Sequence, residues 1–147
     1  MASFDMSVWI DRKPKDVFDF VSNPPRAAEY IENIKSGKQV SKGKVGVGTV
    51  FSETRIVNGK EATTELTVRE YDPPHRFGIG NETMGIDVFY LYHMEPEKDG
   101  TRLTWEAELS AKGLKKMMLP MVAGVMKKED GDHLHAIKEI LEGKRGG

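Results

Sequence analysis

Residues 100–119, GTRLTWEAELSAKGLKKMML, with Pro120 and the stretch behind it to Gly143, decide how this chain folds. Leu103, Trp105, Ala107, Leu109 and Ala111 alternate with Arg102, Thr104, Glu106 and Glu108, the period of two that marks a strand with one buried face. From Pro120 the period changes. Val122, Met126, Leu134, Ile137 and Leu141 recur at helical spacing as far as about Glu142, and Lys127, Lys128, Glu139 and Glu142 are assigned to water. Gly131, inside Glu129-Asp130-Gly131-Asp132, costs about 1 kcal/mol against alanine in a helix interior, which predicts a kink or packing gap there. About five more strand-like segments and no second long helix precede this unit. One long helix cannot close against so large a sheet as an ordinary core does, so a cavity is expected between them.

Working outward, Phe4, Met6, Val8 and Ile10 alternate with polar residues and read as a first strand, with Trp9 on its other face. In the segment PKDVFDFVSNPPRAAEYIENI, Val17, Phe18, Phe20 and Val21 share one helical side and Pro14 suits a first turn. Asn23-Pro24-Pro25 stops this helix, because a residue before proline avoids the α region. A second short helix, Arg26 to Ile31, completes a V. Strands then recur between turn signals: Gly46 and Gly48 at a bend, Asn58-Gly59 in a hairpin, Asp72-Pro73-Pro74 at a strand end, Gly85 in another hairpin and Asp99-Gly100 before the last strand.

Composition narrows the function classes. The 147 residues suit one domain, spanning 1–147 with a frayed tail at 143–147, and show neither repeats nor a linker. Twenty-two basic and 23 acidic side chains are interspersed, for a net charge of −1, which disfavours a nucleic-acid partner. Absence of cysteine excludes disulfides, thiolate metal sites and a cysteine nucleophile. No apolar run approaches the roughly 18 residues that span a bilayer, so stable membrane insertion is not expected. MASFDMSVWID lacks the form of a secretory signal, and a cytoplasmic protein is the default expectation.

The order strand, helix pair, strands and long C-terminal helix is that of the helix-grip fold, in the α+β class. Here six or seven antiparallel strands would curve around the helix. VWIDRKPKDVFDFVSNPPRAAEYIENI resembles the opening of the polyketide cyclase/dehydrase-like branch of the START and birch-pollen-allergen superfamily, often called SRPBCC. GVGTVFSET, VREYDPPHRF and GTRLTWEAEL, followed by LKKMMLP and HLHAIKEILE, are similar to its later landmarks, so the resemblance runs from about Ser3 to Glu142. It implies the fold strongly and an activity weakly, since members include lipid and hormone binders, cyclases and hydrolase-like proteins.

Residue types place the expected pocket between Trp105 and the methionine-rich helix start. Trp105 and Ala107 form one wall. Tyr90 and Tyr92, on a strand that is apolar on both sides, are assigned inward with Phe77 and Ile79 beside them, and Asn81 and Thr83 nearer a mouth. A slip of one residue would exchange those faces. Met118, Met121 and Val122, with Met117 and Met126 nearby, offer adaptable apolar lining or simply fill core. Lys115, Lys116, Lys127 and Lys128 form a solvated face or meet an anionic headgroup.

Catalysis would need a tuned acid or base, for which His93, Glu82 and Tyr92 are the candidates, with Asp87 and Glu106 behind them. No triad or nucleophile-elbow signature accompanies them. His133 and His135 lie two apart on a helix and point apart, and no HExxH pattern occurs, so neither a metal nor another cofactor is expected. The reading that results is a monomer or homodimer binding a hydrophobic or aromatic small molecule, lipid-like or polyketide-like. A tyrosine hydroxyl, Asn81 or His93 would orient that ligand. A cyclase or dehydratase on a polyketide-like substrate is the alternative, and a protein- or membrane-interaction module the third.

Overall fold

The strand read from residues 100–111 is the second of seven in one antiparallel sheet. A computed structural model describes residues 2–31, 34–83, 85–130 and 133–143. The strands are β1 (Ala2–Ile10), β2 (Ile34–Gln39), β3 (Val50–Val57), β4 (Lys60–Asp72), β5 (Arg76–Thr83), β6 (Ile86–Glu97) and β7 (Gly100–Ala111). They lie in the order β1-β7-β6-β5-β4-β3-β2. Strands β2 to β7 are a meander of hairpins, and β1 closes onto β7 with Met6 opposite Trp105 and Val8 opposite Leu103. This is the expected helix-grip architecture.

The order has a consequence for the cavity. Strands β1 and β2 are consecutive in the chain but occupy opposite edges, so the segment between them must cross the whole sheet. Helix α1 (Pro14–Val21) and a 3₁₀ helix (Pro24–Glu29) make that crossing. Pro14 stands in the first turn, where its missing N–H costs nothing. Val17, Phe18, Phe20 and Val21 are buried, and Phe18 meets Tyr71 and Phe77 edge-on at 5.5 and 6.4 Å. The second short helix is thus 3₁₀ rather than α, and starts at Pro24.

Turn chemistry follows the local residues. Asn58 and Gly59 both have positive φ, 51° and 77°, the pair that a tight β3–β4 hairpin requires. At the β6–β7 hairpin the positive-φ residues are Lys98 and Asp99, not Gly100. Gly100 already pairs with Glu97, and its glycine identity has another cause. A Cβ there would sit 2.4 Å from the Ile10 carbonyl oxygen and 2.8 Å from the Trp9 ring.

At the C-terminus, α2 (Leu119–Asp130) and α3 (His133–Leu141) occupy the span predicted as one helix from Pro120. The expected kink at Gly131 lies outside the described residues, as does the side chain of Met126. Leu134, Ala136 and Ile137 of α3 are buried in the same core cluster as Leu103, Trp105 and Ala107 of β7. Burying each large aliphatic chain here contributes about 1.5–3 kcal/mol. Lys138 ties α3 to the sheet, donating to the Trp9 carbonyl at 2.7 Å and to Glu142 at 2.8 Å. Glu142 also accepts from the Asp11 N–H at 2.9 Å, so this residue, assigned to water by spacing, has a side chain only 7% exposed. No described helix is long and apolar enough to cross a membrane.

Candidate functional site

Between the sheet's inner face, the crossing helices and α3 lies a cavity with aromatic walls. Period two on β5, β6 and β7 turns Phe77, Tyr90, Tyr92 and Trp105 inward onto it. The Tyr90 and Trp105 rings stack with centroids 5.8 Å apart. Val21, Pro24, Ala27 and Tyr30 form the roof. The free interior volume is about 50 Å³. That is room for a few waters, against the roughly 300–1,000 Å³ of pockets that hold drug-sized ligands.

One polar group stands at the centre. His133, the first residue of α3, is 3% exposed and faces inward with Leu134 and Ile137. Its Nε2 lies 3.0 Å from the Tyr92 hydroxyl, which donates or accepts according to the histidine tautomer. Trp105 meets the imidazole edge-on at 4.4 Å, and Tyr30 stacks near it at 6.1 Å. Burial, then the negative charges of Glu53 and Glu29, push the Tyr30 phenol well above its ordinary value.

A second polar group lies on β3, where Phe51, Glu53 and Arg55 share the inward side. Arg55 Nε donates to Glu53 Oε1 at 2.6 Å. Their side chains are 20% and 13% exposed, which puts this pair at the boundary between cavity and water. The cavity therefore has an apolar body, a hydroxyl–imidazole pair inside and an ion pair at its edge.

Of the residues singled out by sequence, Phe77, Tyr90, Tyr92 and Trp105 meet at this cavity. Ala107 is fully buried on the same face of β7 but does not reach it. Met118 and Met121 are 44% and 62% exposed, and with Val122 they are not among the cavity walls, although Leu119 between them is buried at 2% exposure. His93 alternates with Tyr92 and so faces outward, 3.5 Å from Glu106 on the sheet's outer face. Glu82 is outside too, beside Lys112, Lys115 and Lys116. Asn81 is not among the cavity walls.

Sequence reasoning missed Tyr30, Glu53, Arg55 and His133 as cavity residues. The signal for the β3 pair was the spacing Phe51-x-Glu53-x-Arg55, which puts two charges on the face that Phe51 buries. For His133 it was the position one and four residues before Leu134 and Ile137. Among the described residues, no group of three or more His, Asp or Glu is placed to hold a metal.

Residues 1–142 match the family model described as polyketide cyclase/dehydrase and lipid transport. No curated protein sequence matches the chain. Among solved structures, Ara h 8.0201 is similar at 18% identity with a TM-score of 0.75, over 97% of this chain and 98% of that one. The Zhui aromatase/cyclase from Streptomyces sp. R1128 is similar at 13% identity with a TM-score of 0.77, over 96% and 93%. The di-domain aromatase/cyclase BexL of the BE-7585A biosynthetic pathway is similar at 15% identity and 0.78, over 97% of this chain and 47% of that one. This chain thus spans about half of BexL. At these identities the likeness is one of fold, while the family match covers nearly the whole chain: it belongs to the polyketide cyclase/dehydrase and lipid transport family.

Proposed function

We propose that this member of the family binds a flat hydrophobic or aromatic small molecule, polyketide-like in shape, in the cavity between sheet, crossing helices and α3. The observation that carries the reading is the set of walls: Phe77, Tyr90, Tyr92 and Trp105 supply π faces, and polar groups concentrate at two points. Apolar burial supplies affinity. The Tyr92–His133 pair orients a carbonyl or hydroxyl, and the Arg55 guanidinium at the rim meets a phenolate, enolate or carboxylate.

The interior volume of about 50 Å³ sets a condition on this binding. A two-ring ligand enters only as side chains or the roof move outward. Tyr90, half-buried, and the six-residue 3₁₀ helix Pro24–Glu29 are the elements with least to lose. Native mass spectrometry of protein purified from its own host tests the reading. A retained aromatic or lipid-like metabolite supports it, and protein that stays empty both there and on titration with such compounds contradicts it.

A cyclase or dehydratase activity is the second reading, favoured by the buried Tyr92–His133 contact. Ring closure by aldol addition removes a proton from a carbon beside one carbonyl and protonates the oxygen of another. Tyr92 Oη, backed by His133 Nε2, is the group inside the cavity able to pass that proton. Conversion of a retained poly-β-carbonyl compound, lost in Tyr92→Phe, would favour the enzyme over the binder.

A further inference from the structure

The segment after β7 is built unlike the rest of the surface. From Leu109 to Lys128 there is no acidic residue and there are five lysines, in a chain whose net charge is −1. Within it Leu114 is 85% exposed, Met117 78%, Met121 62% and Met118 44%. Four large apolar side chains in eight residues thus project into water where they could have packed into the core, as neighbouring Leu119 does at 2% exposure.

Local geometry sorts them. Gly113–Met118 is a 3₁₀ helix, in which residues three apart stand one above the other. Leu114 and Met117 therefore form one edge, Lys115 and Met118 a second, and Lys116 a third. Gly113 has φ +63°, so the chain leaves β7 by a sharp turn that lifts this edge clear. Lys112, Lys115 and Lys116 border the groove behind it, together with Glu82 and Asp87, of which Asp87 is held by Arg69 at 2.6 Å.

We propose that this corner, Lys112 to Met121, is a peripheral docking surface for an anionic lipid bilayer. Apolar knobs that protrude beside a cluster of lysines suit insertion between headgroups, where aliphatic and thioether chains reach the acyl boundary and ammonium groups meet phosphate and carboxylate. A protein partner would need a matching concavity over some 800 Å² a side, for which four isolated projecting chains make a poor template. The lysine excess selects the sign of the surface. The docking involves no spanning helix and stands independently of what the cavity holds.

The test is flotation of the full chain with phosphatidylcholine vesicles, either pure or containing roughly a third phosphatidylserine. The protein floats with anionic vesicles only, and raising salt from about 0.05 to 0.5 M cuts the recovered fraction severalfold. Leu114→Ser/Met117→Ser and Lys112→Glu/Lys116→Glu each lower partitioning about tenfold or more. Val47→Ser/Ile56→Ser, which trims exposed apolar chains elsewhere, leaves it unchanged. All four changed positions of the test pairs are exposed, so folding is retained. The proposal is overturned by no flotation with anionic vesicles, equal flotation with neutral ones, or indifference to the 114/117 change. A dimer that the 114/117 change splits without any vesicle binding also overturns it, since the corner would then be a subunit contact.

Discussion

Tyr92 on β6 and His133 at the start of α3 touch through Oη and Nε2 at 3.0 Å, a buried side-chain hydrogen bond that joins the sheet to the gripping helix. It helps hold α3 against the sheet and puts a hydroxyl–imidazole pair among mostly apolar walls. Tyr92→Phe is expected to destabilise by about 1–3 kcal/mol, because a buried imidazole nitrogen loses its partner. Adding His133→Leu to Tyr92→Phe recovers part of that loss. Urea denaturation of both single variants and the double variant measures the coupling, and strict additivity would contradict it.

Trp105 fills the cavity's inner wall at 1% exposure. Trp105→Ala is expected to cost about 3–5 kcal/mol and to leave a space for apolar guests. Thermal unfolding with and without benzene or indole checks this: the guest raises the melting temperature of the variant by more than it raises that of the parent protein.

Gly100 packs under the end of β1 with no room for a methyl group. Gly100→Ala must push aside the Ile10 carbonyl or the Trp9 ring, which donates to the Glu97 carbonyl at 2.8 Å. A loss of about 1–3 kcal/mol is expected, read as a lower urea midpoint. Gly124→Ala, where a methyl group meets nothing within 4 Å, is the control.

Tyr30 gives the pH dependence. Its phenol holds the proton more tightly in the folded than in the unfolded chain, chiefly through burial and then through Glu53. Its contribution is complete below the ordinary phenol value of about 10 and is lost as pH rises from there, at about 1.4 kcal/mol per pH unit. Denaturation midpoints between pH 8 and 11.5 should fall above pH 10, and Tyr30→Phe should fall less steeply.

The architecture was legible because each signal was a period: two along residues 102–111, helical along 14–21, and turn residues between. That same alternation put Tyr90 and Tyr92 on one face, but with both faces of the strand apolar it could not say which one is inward. The methionines could not be placed this way, since helical spacing says that Met118 and Met121 share a neighbourhood but not whether it is core or water. Both face water, while Leu119 between them is buried. His93 faces outward for the reason that Tyr92 faces inward: adjacent strand residues cannot both face the cavity. Tyr30, Glu53, Arg55 and His133 come from three separate parts of the chain that meet only in the folded structure, and the crossing over the sheet carries Tyr30 alone to the others.

Ligand binding in the cavity is tested most directly by calorimetric titration. Flat aromatic phenols of two to three rings, 1-naphthol and alizarin, are titrated into the wild-type chain and into Ala27→Leu, which fills the roof where Ala27 is 5% exposed. Saturable binding to the wild type, weakened about tenfold or more in a variant of comparable melting temperature, is the predicted result. No binding to either chain, or equal binding to both, contradicts the account.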